Sequence, residues 1–232
     1  MNSAEFDGFA DEYEAQHRAN IAISGEAPEY FARYKIQVLK QLAKKLHIQP
    51  GCVLDFGSGI GNSLPHFHDL LPDTCLVCAD VSQRSLELSG NRFPGLANTV
   101  LIEGNRVPVD ESKFDVTFSA CVFHHIPHNE HVHWLGELHR VTRPGGMLTI
   151  FEHNPLNPLT VRAVNTCPFD ANACLIRAAK FVDSYRKAGW LCPQVRYHVF
   201  FPRALSVLRK LEPHLSRVAF GAQYSVTAIK QH

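Results

Sequence analysis

Long hydrophobic runs are missing from this chain. No apolar stretch approaches the roughly 18 residues that a membrane-spanning helix needs, which argues against an integral membrane protein. A charge excess is missing too: 23 Lys and Arg stand against 22 Asp and Glu, a formal net charge of +1. A dedicated nucleic-acid binder normally gathers a basic excess on one face, so neither a nucleic acid nor a membrane is an expected partner. Nor is there a paired cysteine framework. The seven cysteines (52, 75, 78, 121, 167, 174 and 192) are odd in number and scattered. The stretch MNSAEFDGFADEYEAQH is polar and acidic, without the apolar centre of a signal peptide. Together these features suggest reduced thiols and a cytoplasmic location. Cys75 and Cys78 fall in the strand-like run TCLVCAD, where positions three apart point to opposite faces. They read as buried thiols rather than a redox or metal pair.

What is present is an ordinary globular balance, 45% hydrophobic and 19% charged, with no repeats or low-complexity tracts. Residues 28–47 space Ile36, Leu39, Leu42, Ala43 and Leu46 as a helix does, opened by Pro28 and closed by Pro50-Gly51. Strand-like runs follow at 52–56, 75–80, 99–104, 114–120 and 146–153, with helical stretches near 61–71, 82–93 and 128–141 between them. Strand and helix alternating this way imply right-handed crossovers and a parallel sheet. The runs are nearly continuous in apolar residues, as in strands covered on both faces. Farther on, a helix near 175–188 precedes β-rich runs at 194–201 and 222–230, with a helical stretch near 203–213 between them. The last run alternates, which suits an antiparallel final strand. Residues 154–176, rich in Pro and Asn, read as a loop long enough to be a lid or binding segment. The expected fold is an α/β three-layer sandwich: a seven-stranded, mostly parallel sheet whose last strand is antiparallel.

The sharpest chemical signal is VLDFGSGIGNS, residues 53–63. Gly57, Gly59 and Gly61 form a tight strand-to-helix turn where a Cβ would obstruct a ligand. The helix start beyond it offers free N–H groups. The second strand ends in Asp80, a carboxylate that can accept both hydroxyls of a ribose. Dinucleotide-binding proteins share both devices. In this chain, however, Asn62 stands where the third glycine of Gly-x-Gly-x-x-Gly would fall, which argues against an NAD-dependent dehydrogenase.

Three further motifs narrow the reading. FDVTFSACVFHHIP (114–127), RPGGMLTI (143–150) and AGW (188–190) occur in order. With the glycine turn, they resemble the class I, Rossmann-like, S-adenosylmethionine-dependent methyltransferases of small-molecule type, closely over residues 50–152 and elsewhere by topology. The resemblance implies S-adenosyl-L-methionine as cofactor and S-adenosyl-L-homocysteine as product. Gly57, Gly59 and Gly61 would hold the methionine and ribose parts, Asp80 the ribose hydroxyls, and Val81 the adenine face. Asp55 would support the turn and reach the cofactor's amino group through water. Ser119 and Ala120 would lie beneath the sulfonium. The family often carries Gly-Asp after strand three. Here Gly104-Asn105 stands instead, and the Asn105 amide oxygen can accept the same adenine hydrogen bond without charge. The implied organisation is one methyltransferase domain over 1–232. It comprises a helical cap (1–47), a cofactor-binding core (50–152), a substrate-side insertion (153–176) and a C-terminal sheet half (177–232).

Methyl transfer needs mainly alignment, with a general base for an oxygen or nitrogen acceptor. Ligands of open α/β sheets sit beyond the carboxyl ends of the strands, which gathers His124, His125, Glu152 and His153 near the reaction centre. Imidazole titrates near neutrality, so His125 or His153 is the expected base, with His124 a further catalytic candidate or a structural residue. Glu152 and Asn154, with Arg162 in the Pro-rich segment and Tyr13, His17 and Tyr30 in the N-terminal stretch, are substrate-side candidates. The cluster His124, His125, His128, His131 and His133 lacks an accompanying carboxylate or cysteine set at ligand spacing, so no metal is expected. The expected activity is methyl transfer to O or N of a small-molecule metabolite. A non-catalytic cofactor-binding module and a methyltransferase of RNA or protein are the alternatives, and monomer and homodimer both stay open.

Overall fold

The structure is a computed structural model that describes residues 24–231. Helix α1 (Pro28–Lys45) starts with Pro28 in its first turn, where a missing N–H costs nothing. Strand β1 (Cys52–Phe56), helix α2 (Leu64–Leu70), strand β2 (Cys75–Asp80), helix α3 (Gln83–Arg92) and strand β3 (Asn98–Leu101) follow. Strand β4 (Phe114–Ala120) runs into a 3-10 turn, Phe123–His125, and then come helix α4 (His131–Val141) and strand β5 (Thr142–His153). The remainder is α5 (Pro158–Thr166), a 3-10 turn at Pro168–Asp170, α6 (Ala178–Lys187), β6 (Leu191–His198), a 3-10 stretch Arg203–Leu211, α7 (Glu212–Leu215) and β7 (Gln223–Ile229).

The seven strands form one sheet in the order β3-β2-β1-β4-β5-β7-β6. β7 is antiparallel to both neighbours, β5 and β6, whereas the pairings among β1 to β5 are parallel. Successive residues of the central strands feed opposite cores, which is why these strands are apolar throughout. On one face Val53, Val116, Phe118 and Met147 pack against Ile36, Leu39, Leu42 and Ala43 of α1. On the other face Leu54, Leu148, Ile150 and Val226 meet Trp134, Leu135 and Leu138 of α4 and Phe181, Val182 and Tyr185 of α6. Each large side chain of this kind contributes on the order of 1.5–3 kcal/mol by leaving water. Two helix layers therefore clamp the sheet, as expected. The sequential order of strands reverses between β1 and β4, which opens a crevice at their carboxyl ends.

Several expected boundaries move. β3 ends at Leu101 because Gly104 turns the chain with φ +70°. β6 runs over Leu191–His198, earlier in the chain than expected, and breaks register between Leu191 and Gln194, where Pro193 has no N–H to give. The segment after β5 is structured rather than an open loop. Asn157 caps α5 by accepting the N–H groups of Leu159 and Thr160, and Pro158 occupies the first turn. All seven cysteines are free, and Cys75 is exposed at the start of β2 while Cys78 is buried. Among the described residues no helix is long and apolar enough to cross a membrane.

Candidate active site

The turn after β1 is held by β2. Gly57 N–H donates to Ala79 O (2.7 Å), Gly59 N–H to Asp80 Oδ2 (2.7 Å) and Ser82 N–H to Asp80 Oδ1 (2.9 Å). Two of its glycines are obligatory. A Cβ on Gly57 would stand 2.4 Å from Val122 Cγ2, and one on Gly61 would stand 2.2 Å from Ser89 Oγ. Both have left-handed backbones, φ +72° and +79°, which L side chains resist. A Cβ on Gly59 would meet nothing within 4 Å, because that position borders open space. Helix α2 begins only at Leu64, after further turn residues rather than directly at Gly61.

That space is a cavity of about 360 Å³ at the carboxyl ends of β1, β2 and β4. Asp55, Gly57, Gly59, Asp80, Val81 and Ile102 line one end. Ala120, Cys121, His124, His125, His153 and Asp170 line the other. Phe31 and Lys35 from α1, Thr160 and Val164 from α5, and Phe200 and Gln223 from the C-terminal region enclose it.

The two ends differ electrically. At the turn, Asp55 is buried and its Oδ2 has no hydrogen-bond partner. Burial and the neighbouring Asp80 charge push its carboxyl up to about 7, against a smaller opposing effect of Lys35. At the far end His124 donates from Nδ1 to Glu152 Oε2 (2.6 Å), while Glu152 Oε1 accepts the N–H groups of Val122 (3.1 Å) and Phe123 (2.8 Å). Burial alone would lower the His124 pKa. Glu152, seconded by Asp170, outweighs it and raises His124 to about 10. Asp170 lies 3.6 Å from His124 Nε2 and 3.4 Å from His125 Nε2. Although burial opposes it, those imidazoles hold Asp170 below the usual carboxylate range. Burial depresses His125, only partly offset by Asp170. Between the two ends, Lys35 Nζ donates to Cys121 Sγ (3.4 Å). Burial would raise the thiol, but Lys35 and then His153 bring it down to about 6.

Of the sequence candidates, Asp55, Gly57, Gly59, Asp80, Val81, Ala120, His124, His125 and His153 share the cavity wall. Gly61 lies behind it, packed on α3. Ser119 is fully buried in β4 and is not among the lining residues. Asn105 is exposed and instead gives its carbonyl to His133 Nε2 (2.6 Å), so it does not line the cavity. Glu152 stands behind His124. Asn154 is spent on fold, donating to Ala219 O and Gly221 O, and Arg162 is exposed on α5 outside the lining. Tyr30 also lies off the cavity, its ring under the Arg209 guanidinium at 4.7 Å. Tyr13 and His17 lie outside the described residues.

The five-histidine cluster separates. His131 Nε2 donates to Phe123 O and Ile126 O (both 2.9 Å), His133 turns to Asn105, and His128 meets Lys180 Nζ at 3.0 Å. Sequence reading missed Asp170, Cys121 and Lys35. Nothing local marks Asp170, 45 residues beyond His125. Cys121, directly after Ala120 and before the His-His pair, carried a positional signal.

The comparisons fit this geometry. Residues 53–146 match a family described as a methyltransferase domain. A malonyl-[acyl-carrier protein] O-methyltransferase of Marinomonas sp. (strain MWYL1) is 28% identical over 144 residues, 58% of this chain and 50% of the relative. The ubiquinone/menaquinone biosynthesis C-methyltransferase UbiE of Hahella chejuensis is 27% identical over 63% of this chain and 60% of its own length. The matched part of the chain thus spans half to three-fifths of these relatives. Among solved structures, a SAM-dependent methyltransferase from Thermotoga maritima superposes with a TM-score of 0.66 at 17% identity, covering 99% of both chains. A Haemonchus contortus phosphoethanolamine N-methyltransferase in complex with S-adenosyl-L-methionine gives 0.58 at 16% identity, over 82% of this chain and 52% of that one. Over residues 53–146 the chain is thus similar to methyltransferase domains, and its seven-stranded sheet has the class I, Rossmann-like fold.

Proposed function

We propose that the chain is an S-adenosylmethionine-dependent methyltransferase that transfers the methyl group to an oxygen or nitrogen of a small-molecule acceptor. One observation carries the reading: a single cavity joins the glycine turn and its two acidic residues to a cluster of imidazoles and a thiol. The cofactor fits what is there. Asp55 Oδ2, buried without a partner at the turn, suits an ammonium group such as that of the cofactor's methionine part. Asp80 keeps lone pairs beyond the two N–H groups it accepts and can take the ribose hydroxyls. Val81 and Ile102 give an apolar slot for the adenine. Asn105, outside the lining, is not needed in this arrangement.

Bound there, S-adenosylmethionine supplies a methyl group on a sulfonium, an electrophile that needs alignment more than activation. The chain does the rest. Gly57 and Gly59 leave room for close backbone approach, and α1 and α5 wall off water. The acceptor's place is the end lined by Cys121, His124, His125 and His153. His124 is pinned between Glu152 and Asp170 and is a poor proton acceptor. His125 turns Nε2 toward Asp170. His153, on the cavity wall at the end of β5, is the residue assigned to accept the acceptor's proton.

The test is calorimetry of the purified protein with S-adenosylhomocysteine and, separately, NAD. Micromolar binding of S-adenosylhomocysteine alone, lost in Asp80→Ala, is expected. A folded protein that binds NAD instead, or neither, would sink the reading. Cofactor affinity without turnover on any acceptor panel would leave a non-catalytic binding module.

A further inference from the structure

The acceptor end contains a constellation that methyl transfer does not require. We propose that His124, His125 and Asp170 form a binding site for one divalent cation, zinc in particular, with its remaining coordination position open to the cavity. The candidate ligand atoms, one from each residue, lie within 4.8 Å of one another. The site goes beyond the methyltransferase reading and stands or falls separately from it.

The distances leave room for an ion between the imidazoles and the carboxylate. An imidazole N–H donating to a carboxylate settles near 2.7–2.9 Å. Here Asp170 Oδ1 stands 3.6 Å from His124 Nε2 and 3.4 Å from His125 Nε2. Tetrahedral zinc with ligands at about 2.0–2.1 Å has ligand–ligand edges of about 3.3–3.4 Å. An octahedral ion with bonds of the same length would bring neighbouring ligands to about 2.9 Å. Both carboxylate–imidazole separations are long for hydrogen bonds, long for an octahedron and close to tetrahedral edges. The three ligand atoms together lie within 4.8 Å, so an ion would draw the two imidazoles toward each other. Two imidazoles and one carboxylate with an open fourth place is also a zinc donor set of catalytic type.

The surroundings complete the argument. His124 Nδ1–H donates to Glu152 at 2.6 Å, which presents the other ring nitrogen outward. This carboxylate–histidine arrangement orients metal-bound imidazoles. Glu152 is itself fixed by two backbone N–H groups and is fully buried. The ligands come from two separate parts of the chain, the turn after β4 and the Pro168–Asp170 turn beyond α5. Cation binding would therefore tie the substrate-side segment to the sheet.

The experiment uses the whole chain, stripped with a chelator and freed of it, titrated with Zn²⁺ against a chromophoric zinc indicator. S-adenosylhomocysteine affinity is measured in parallel on every sample. With 14 histidines stoichiometry alone is not diagnostic, so Asp170→Asn and His125→Gln are compared with wild type, their folding checked by circular dichroism. The expected result is one equivalent bound more tightly than micromolar. Each ligand variant should weaken this by at least tenfold, as should Glu152→Gln. Co²⁺ in place of Zn²⁺ should give the visible absorption of four-coordinate geometry. Zinc binding unchanged in both ligand variants, or no stoichiometric zinc on the wild type, overturns the proposal. S-adenosylhomocysteine binding that persists while zinc binding fails would reject the cation site and leave the methyltransferase reading intact.

Discussion

The two ends of the cavity are made differently. The end proposed for the cofactor is largely backbone: a turn of glycines, an adjacent strand end and the N–H groups that Asp80 gathers, all within residues 55–82. The end proposed for the acceptor is made of side chains brought from far apart. His124 and Asp170 meet across 46 positions, and Lys35 reaches Cys121 across 86. A backbone site tolerates little change in shape but asks for little chemistry. A side-chain site can be rebuilt by substitution, which is how one sheet serves many acceptors.

The largest blow to this division should come from the buried network. Glu152→Ala strips the buried His124 ring of its main partner and leaves two backbone N–H groups unsatisfied, a loss of about 3–5 kcal/mol. Chemical denaturation should show it. S-adenosylhomocysteine affinity, read well below the melting temperature, should stay within about threefold while turnover collapses. An equal fall in both would show that the two ends are not separable.

Gly61→Ala should do the converse at a smaller cost. A left-handed backbone and a Cβ 2.2 Å from Ser89 Oγ amount to about 1–3 kcal/mol of strain. The turn should shift, and S-adenosylhomocysteine affinity should drop about tenfold or more by calorimetry.

The finest distinction is a matter of protons. Asp55 sits at about 7 in the folded chain, above the value near 3.9 of an unfolded aspartate. Its contribution to stability is thus complete below about pH 4 and is lost as pH rises through 7. A bound ammonium needs the ionised form, so affinity for S-adenosylhomocysteine should fall below pH 7, by up to about tenfold per unit. Asp55→Asn should bind more weakly, lose that pH dependence, and melt at a temperature that no longer declines between pH 4 and 7. A wild-type affinity flat from pH 5.5 to 8 would remove Asp55 from the cofactor's amino group.

How much could be read from the sequence follows the same division. The β–turn–α alternation, the glycine turn and Asp80 are written in neighbouring residues, because backbone geometry and strand burial impose local patterns. The His-His turn after β4 and the Glu-His ending β5 were legible as positions at strand ends. What they do was not legible. Glu152 reads as a candidate for the acceptor, yet in the fold it is a buried partner of His124. Asn154 likewise reads as a pocket residue but is occupied in holding the carbonyls of Ala219 and Gly221. Asn105 lost its expected place when β3 ended at Leu101 and the chain turned away.

By itself, then, the sequence determined which segments become strands and helices, their alternation and the turn that faces the cavity, since each is written in a local pattern of apolar and turn residues. Only the tertiary structure decided that Asp170 joins the two histidines, that Lys35 lowers Cys121, and that helix α5, started locally by Asn157 and Pro158, lies over the cavity. Those outcomes depend on which distant segments pack together, and no local spacing encodes the distance between atoms that meet only after the chain has folded.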